Sequence, residues 1–225
     1  MVFYFDIILF FVLLILIFFL SKYAINEIYY LLRLVLKNEE IIFSIMSIIF
    51  LPGTIIHELS HYLVATILFL NIKEVTIFPK FEKNQIKLGG VTYVKKDFIR
   101  GLLVGIAPFF VALFIFWLIA SFKIFPQTNL GLNVLLIYLI YVISSTMFSS
   151  RQDLVDLVFI IPLIIIIMAI IYIFNIRIEV ILKNKFIWEN LSAFAKIVNF
   201  YLFLSLAINF SLLLIAKSLK LIIKR

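Results

Sequence analysis

The strongest constraint on this chain is the run from Ile41 to Leu70, which is apolar almost throughout and yet carries His57, Glu58 and His61 in its interior. As a single helix the run would extend about 45 Å, more than the roughly 30 Å of a bilayer's hydrocarbon core. Ionisable groups at membrane depth are costly to bury and are read first as functional. Pro52-Gly53 interrupts the run. The residue before a proline is pushed away from helical geometry, so a kink or break is expected there. A new helix is expected to start near Thr54, with Thr54 placed to cap it.

His57-Glu58-Leu59-Ser60-His61 has the form H-E-x-x-H, and its histidines are the only 2 in the 225 residues. Positions i and i+4 share one face of a helix, so both imidazoles can address one metal ion. Glu58 lies one step round and can reach a water at that ion. Two neutral imidazoles with a carboxylate base is a zinc-hydrolase arrangement. The same pattern arises by chance on solvated helices. Here its neighbours are Ile55, Ile56, Leu59, Leu63, Val64 and Ile67, which a solvated face does not explain.

Composition agrees with a membrane setting. The chain is 65% hydrophobic and 14% charged, with a mean hydropathy of +1.23, outside the range of soluble domains. It reads as one integral membrane domain over 1–225, with its core at 41–174. There is no cysteine, so disulfides and thiolate metal sites are excluded and zinc would need His and carboxylate ligands. The net charge of +8 would suggest nucleic acid only in a soluble protein. Here the basic residues fall between apolar segments and are expected to face the lipid bilayer surface, with no nucleic-acid partner. Asp6 stands where a signal peptide would carry basic residues, so the first segment is expected to be a retained span.

The expected fold class is an all-α polytopic membrane protein with about six transmembrane helices and a small β-hairpin after the motif helix. The spans are expected at Val2–Leu20, Ile41–Leu70, Ile99–Phe122, Leu130–Phe148, Leu154–Phe174 and Val198–Ala216. Lys22–Glu40 reads as an interfacial helix or an extension of the first span. Asn175–Lys196, with Trp188, reads as an interfacial helix. Residues 73–96 hold the hairpin: Glu74–Phe78 and Gln85–Val94 alternate, with Phe81–Asn84 as the turn. Gly89-Gly90 suggests a bulge or a close backbone approach, and Gly101 with Gly105 a close helix contact. Six spans place both termini and the hairpin on one side. That side carries the larger share of Lys and Arg and is therefore expected to be cytoplasmic.

A catalytic zinc takes three protein ligands and keeps one position open. With no further His and no Cys, the third ligand is expected to be Asp or Glu. Most acidic residues lie in loops; Asp6, Asp153 and Asp156 do not. Asp6 reads as interfacial. Asp153 is the first candidate and Asp156 the second. Ser150-x-x-Asp153 also fits a helix cap.

At this point the chain resembles the site-2 protease family of intramembrane zinc metalloproteases. The resemblance rests on the H-E-x-x-H in an apolar helix, Gly89-Gly90-Val91 in a β-segment, Gly105-Ile106-Ala107-Pro108 opening the next span, and a later Asp after a polar break. It implies that His57, His61 and Asp153 bind one Zn2+ and that Glu58 is the catalytic base. It also implies a transmembrane protein or peptide substrate, cut near the cytoplasmic leaflet. The chain departs from the family where Phe109-Phe110-Val111 replaces an Asn after the Gly-Pro, and where Leu154-Val155 follows Asp153 in place of a Leu-Asp-Gly. Asn129 or Asn133 would have to fold back to supply the missing amide. The rival reading is a non-catalytic metal-binding membrane module that holds transmembrane helices without cutting them. Glu58 argues against it, because a structural metal needs no base. A metal transporter ranks last.

Overall fold

The computed structural model describes residues 2–76, 80–82, 85–87, 89–94, 96–148, 160–174 and 184–223. The elements are α1 (Val2–Val35), α2 (Glu39–Ile67), β1 (Ile72–Thr76), β2 (Lys80–Glu82), β3 (Gln85–Lys87), β4 (Gly90–Tyr93), α3 (Phe98–Ser121), α4 (Leu130–Thr146), α5 (Ile160–Ile173) and α6 (Lys185–Ile223). Among the described residues, 4 helices are long and apolar enough to cross a membrane: α1, α2, α3 and α6. Phe11, Phe19, Phe203 and Phe210 on α1 and α6 point outward and exposed, as side chains facing lipid do. This is an integral membrane protein.

The six-span expectation changes in several places. α4 is apolar but has 17 residues, about 25 Å of helix. The fifth expected span is described only from Ile160, and α5 has 14 residues. Lys22–Val35 continues α1, whose 34 residues outrun the bilayer core. Lys185–Lys196 is the opening of α6, a single helix of 39 residues. Both helices extend because their partner continues alongside them.

That partnership fixes the direction of α6. Ser192 Oγ donates to Asp6 Oδ2 at 3.1 Å and Asn199 Nδ2 donates to the Asp6 carbonyl at 2.9 Å. At the far end Lys220 pairs with Glu27. α1 and α6 therefore run parallel, and the described ends Val2 and Ile223 lie at opposite ends of the pair. The expectation of both termini on one side needed α4 and α6 to run the same way. Instead α2 runs back along α1, with Tyr29 and Phe43 rings 5.4 Å apart. α4 runs with α2, where Tyr138 OH donates to the Ile49 carbonyl at 2.6 Å and Thr146 meets Gly53. α6, parallel to α1, thus runs against α4.

Pro52 does not break α2, which continues through it as one helix of 29 residues. Thr54 is not a cap; its Oγ1 donates to the Leu51 carbonyl at 2.9 Å. The true cap is Asn38, which accepts from Glu40 N at 2.9 Å. Continuity is held by packing on both sides of the proline: Phe50 sits in a cluster with Tyr141 and Val142, and Gly53 meets the same helix. A Cβ placed on Gly53 would lie 2.5 Å from Thr146 Oγ1 and 2.7 Å from the Val142 carbonyl. Only a hydrogen fits there, so the close helix approach falls at Gly53. Gly53→Val is expected to destabilise the protein by about 3 kcal/mol, the upper end for overpacking, because backbone must move. A detergent unfolding midpoint equal to wild type would contradict that approach.

The β-segment forms two short antiparallel ladders, β1 with β4 and β2 with β3. Thr76 pairs with Gly90, and the register slips between Ile72 and Glu74. The first strand starts earlier than expected, and the second is divided between Lys87 and Gly90. At its root, Leu70 is buried with Ala65 and Val104, and Ile72 and Tyr93 pack on the same cluster. Arg100 Nη1 and Lys96 Nζ donate to the Leu68 and Phe69 carbonyls at 3.3 and 3.1 Å. These cations sit at the negative end of the α2 dipole. Asp97 caps α3, accepting from Arg100 N at 2.8 Å.

Candidate metal centre

The site lies on the buried face of α2, past Gly53. His57 and His61 are 4% and 7% exposed. Their Nε2 atoms approach to 3.1 Å, with the rings at 85° to each other and centroids 4.7 Å apart. Two imidazoles on one tetrahedral zinc, each with Zn–N of about 2.0–2.1 Å, place their nitrogens about 3.3 Å apart. The observed separation fits that spacing. One turn of helix therefore converges both rings on one point, as the i, i+4 spacing required.

His61 is oriented by the neighbouring helix. Its Nδ1 lies 2.8 Å from the Val104 carbonyl of α3. A carbonyl only accepts, so Nδ1 carries the proton and Nε2 presents its lone pair toward His57. A backbone carbonyl behind a ligating histidine is a common way to fix tautomer and ring angle. A His57 Nε2–H donating to His61 Nε2 has the same distance. The pair is thus built to share either a cation or a proton. Ser60 Oγ donates to the His57 carbonyl at 2.6 Å, which satisfies the third buried polar side chain of this turn.

Glu58 meets the β-segment. A Cβ placed on Gly89 would lie 2.8 Å from Glu58 Cγ and 3.1 Å from its Oε1. The close backbone approach expected at Gly89-Gly90 is an approach to the motif carboxylate. β4 and α2, distant in sequence, thus meet at the Glu of the H-E-x-x-H. Beside them, an open groove of about 650 Å3 runs between α2 and β1, lined by Tyr62, Thr66, Phe69, Lys73 and Val75 among others.

The remaining candidates separate. Asp6 joins α1 to α6 through Ser192 and Asn199. Asp153 and Asp156 lie outside the described residues. Among the described residues, no group of three or more His, Cys, Asp or Glu side chains is gathered. Phe148, just past the end of α4, meets Phe109 with ring centroids 5.7 Å apart and the rings tilted at 35°. Both pack against the core cluster that Ile56 also joins. Asp153 is five residues on, a reach of at most about 18 Å. Asn129 and Asn133 do not fold back. Asn129 Oδ1 caps α4, accepting from Gly131 N at 2.9 Å. Asn133 makes two 2.7 Å bonds to the Gln127 backbone.

Sequence reasoning missed the Val104 carbonyl; its available signal was Pro108, four residues on in α3, which has no N–H to give that carbonyl. It also missed a buried polar contact, in which Ser144 of α4 meets Ser205 of α6 and Asn209 Nδ2 donates to the Ser205 carbonyl at 3.0 Å. Ser205 and Asn209, one turn apart in an apolar helix, were its available signal. Comparison with models of known protein families, with curated proteins and with solved structures finds no match. The geometry defines an integral membrane protein with a buried imidazole pair and an adjoining carboxylate.

Proposed function

We propose that the chain is an intramembrane zinc metalloprotease of the site-2 protease type, hydrolysing peptide bonds of transmembrane substrates near the cytoplasmic leaflet. The observation that carries this reading is the 3.1 Å convergence of His57 and His61 Nε2, with His61 turned by the Val104 carbonyl. His57, His61 and Asp153 would hold one Zn2+, with Asp156 in reserve. When bound, the ion supplies Lewis acidity, polarising the scissile carbonyl and making water acidic enough to deprotonate near neutral pH.

Glu58 takes that proton and passes it to the leaving amine. A helical substrate hides its carbonyls and must be drawn out. The groove beside β1 suits an extended peptide added to the strand edge. β1 runs from the end of α2 at Ile72 to Thr76, which pairs with Gly90 beside the Glu58 contact. A peptide along that edge is led toward the carboxylate. Lys73, Lys96 and Arg100 at the β end favour the cytoplasmic side. The start of α1 shares that side, and the end of α6 lies opposite.

A second reading keeps the 3.1 Å contact as a shared proton and makes the protein a non-catalytic module that holds transmembrane helices. Purified protein in liposomes with a helical reporter separates the two. The protease reading predicts zinc-dependent cleavage that a chelator abolishes. Binding of the reporter without cleavage, with zinc supplied, supports the module instead. Asp153→Asn is expected to weaken zinc binding by more than about 100-fold, beyond the effect of losing a supporting hydrogen bond, and Asp156→Asn to leave it intact. The reverse result in a zinc titration moves the ligand to Asp156.

A further inference from the structure

We infer that Gly89 is a positioning residue for Glu58, holding the carboxylate in place through the absence of its own side chain; the catalytic consequence rests on the protease reading above. A Cβ at residue 89 would stand 2.8 Å from Glu58 Cγ, 3.1 Å from Oε1 and 3.2 Å from Cδ. Every one of these contacts is to the Glu58 side chain, so an added methyl displaces the carboxylate before anything else.

The backbone is the less yielding partner. Gly90, next in sequence, is paired with Thr76, which is buried. The root of the ladder is closed by the Val94 N–H to Asn71 carbonyl bond at 2.9 Å. Ile72 and Tyr93 pack on the cluster containing Val104, the residue whose carbonyl orients His61. The β-segment and the imidazole pair therefore share one frame. Glu58 lies on the same turn of α2 as the imidazole pair, with Gly89 against its side chain.

The test uses the full chain carrying Gly89→Ala, with Glu58→Gln as the labelling blank. Labelling of the Glu58 carboxylate by a water-soluble carbodiimide, read by peptide mass spectrometry, needs neither metal nor activity. Its rate is expected to change severalfold in Gly89→Ala, with the unfolding midpoint and zinc stoichiometry at wild-type values. In the cleavage assay kcat is expected to fall about 100-fold with KM unchanged, the scale of a misplaced catalytic group. In a Glu58→Gln background the same glycine change is expected to add little to the loss, because the base is already gone. Unchanged labelling, or a kcat loss that multiplies fully with Glu58→Gln, overturns the inference. If wild type cleaves nothing, the protease reading fails, and the labelling result still decides whether Gly89 sets the Glu58 carboxylate.

Discussion

Glu58→Gln is expected to reduce peptide hydrolysis by about 100- to 10,000-fold, the contribution of a positioned general base, while zinc remains bound. The two side chains are nearly the same shape, so the packing against Gly89 survives the change. The imidazole pair is untouched, because its separation is set by the α2 backbone and by the Val104 carbonyl. What is lost is the ability to accept a proton. Cleavage by reconstituted variant and wild type, each with zinc content measured, checks this. Activity within a few-fold of wild type would remove Glu58 from the mechanism, and simultaneous loss of zinc would mean that it is a ligand.

His57→Ala and His61→Ala are each expected to abolish zinc retention and the stabilisation that zinc provides. A ligand present at 1,000 times its dissociation constant stabilises the folded state by about 4 kcal/mol, so the wild-type unfolding midpoint should rise with zinc and those of the variants should not. The two changes are not equivalent without metal. His61→Ala also strips the Val104 carbonyl of its donor, and an unsatisfied buried acceptor costs about 1–3 kcal/mol. His57→Ala leaves that bond in place. His61→Ala should therefore be the less stable variant in chelator. Equal midpoints for the two in chelator would contradict the Val104 bond, and a zinc-induced rise that either variant keeps would contradict the pairing of the imidazoles.

The sequence showed the site more clearly than the path around it. The i, i+4 spacing of His57 and His61 and their apolar surroundings were enough to place two imidazoles together inside a bundle. The strand-like alternation after α2 gave the β-segment, and Gly89-Gly90 gave its close approach without saying to what. Pro52 does not end α2, because its local effect is offset by packing of α2 on α4 at Phe50 and Gly53, which no local rule contains. The charges of Lys185 to Lys196 suggested an interfacial helix separate from the last span, whereas an extension of the first span through Lys22 to Arg33 was one of two readings open for that stretch. α1 and α6 instead run on beside each other, joined by Asp6 with Ser192 and by Glu27 with Lys220. Those pairings also set the direction of α6 parallel to α1, which hydropathy cannot see. The carbonyl behind His61 belongs to Val104, and its one mark in sequence is Pro108, whose missing N–H leaves that carbonyl without its helical donor.

The most direct test is zinc K-edge absorption on purified protein, with metal stoichiometry from the same sample. The account predicts one zinc per chain, with two imidazole nitrogens at about 2.0 Å and the remaining ligands oxygen, and loss of the signal in His57→Ala and His61→Ala. A protein that takes up no zinc when it is supplied, or holds zinc with no imidazole in its shell, would contradict it.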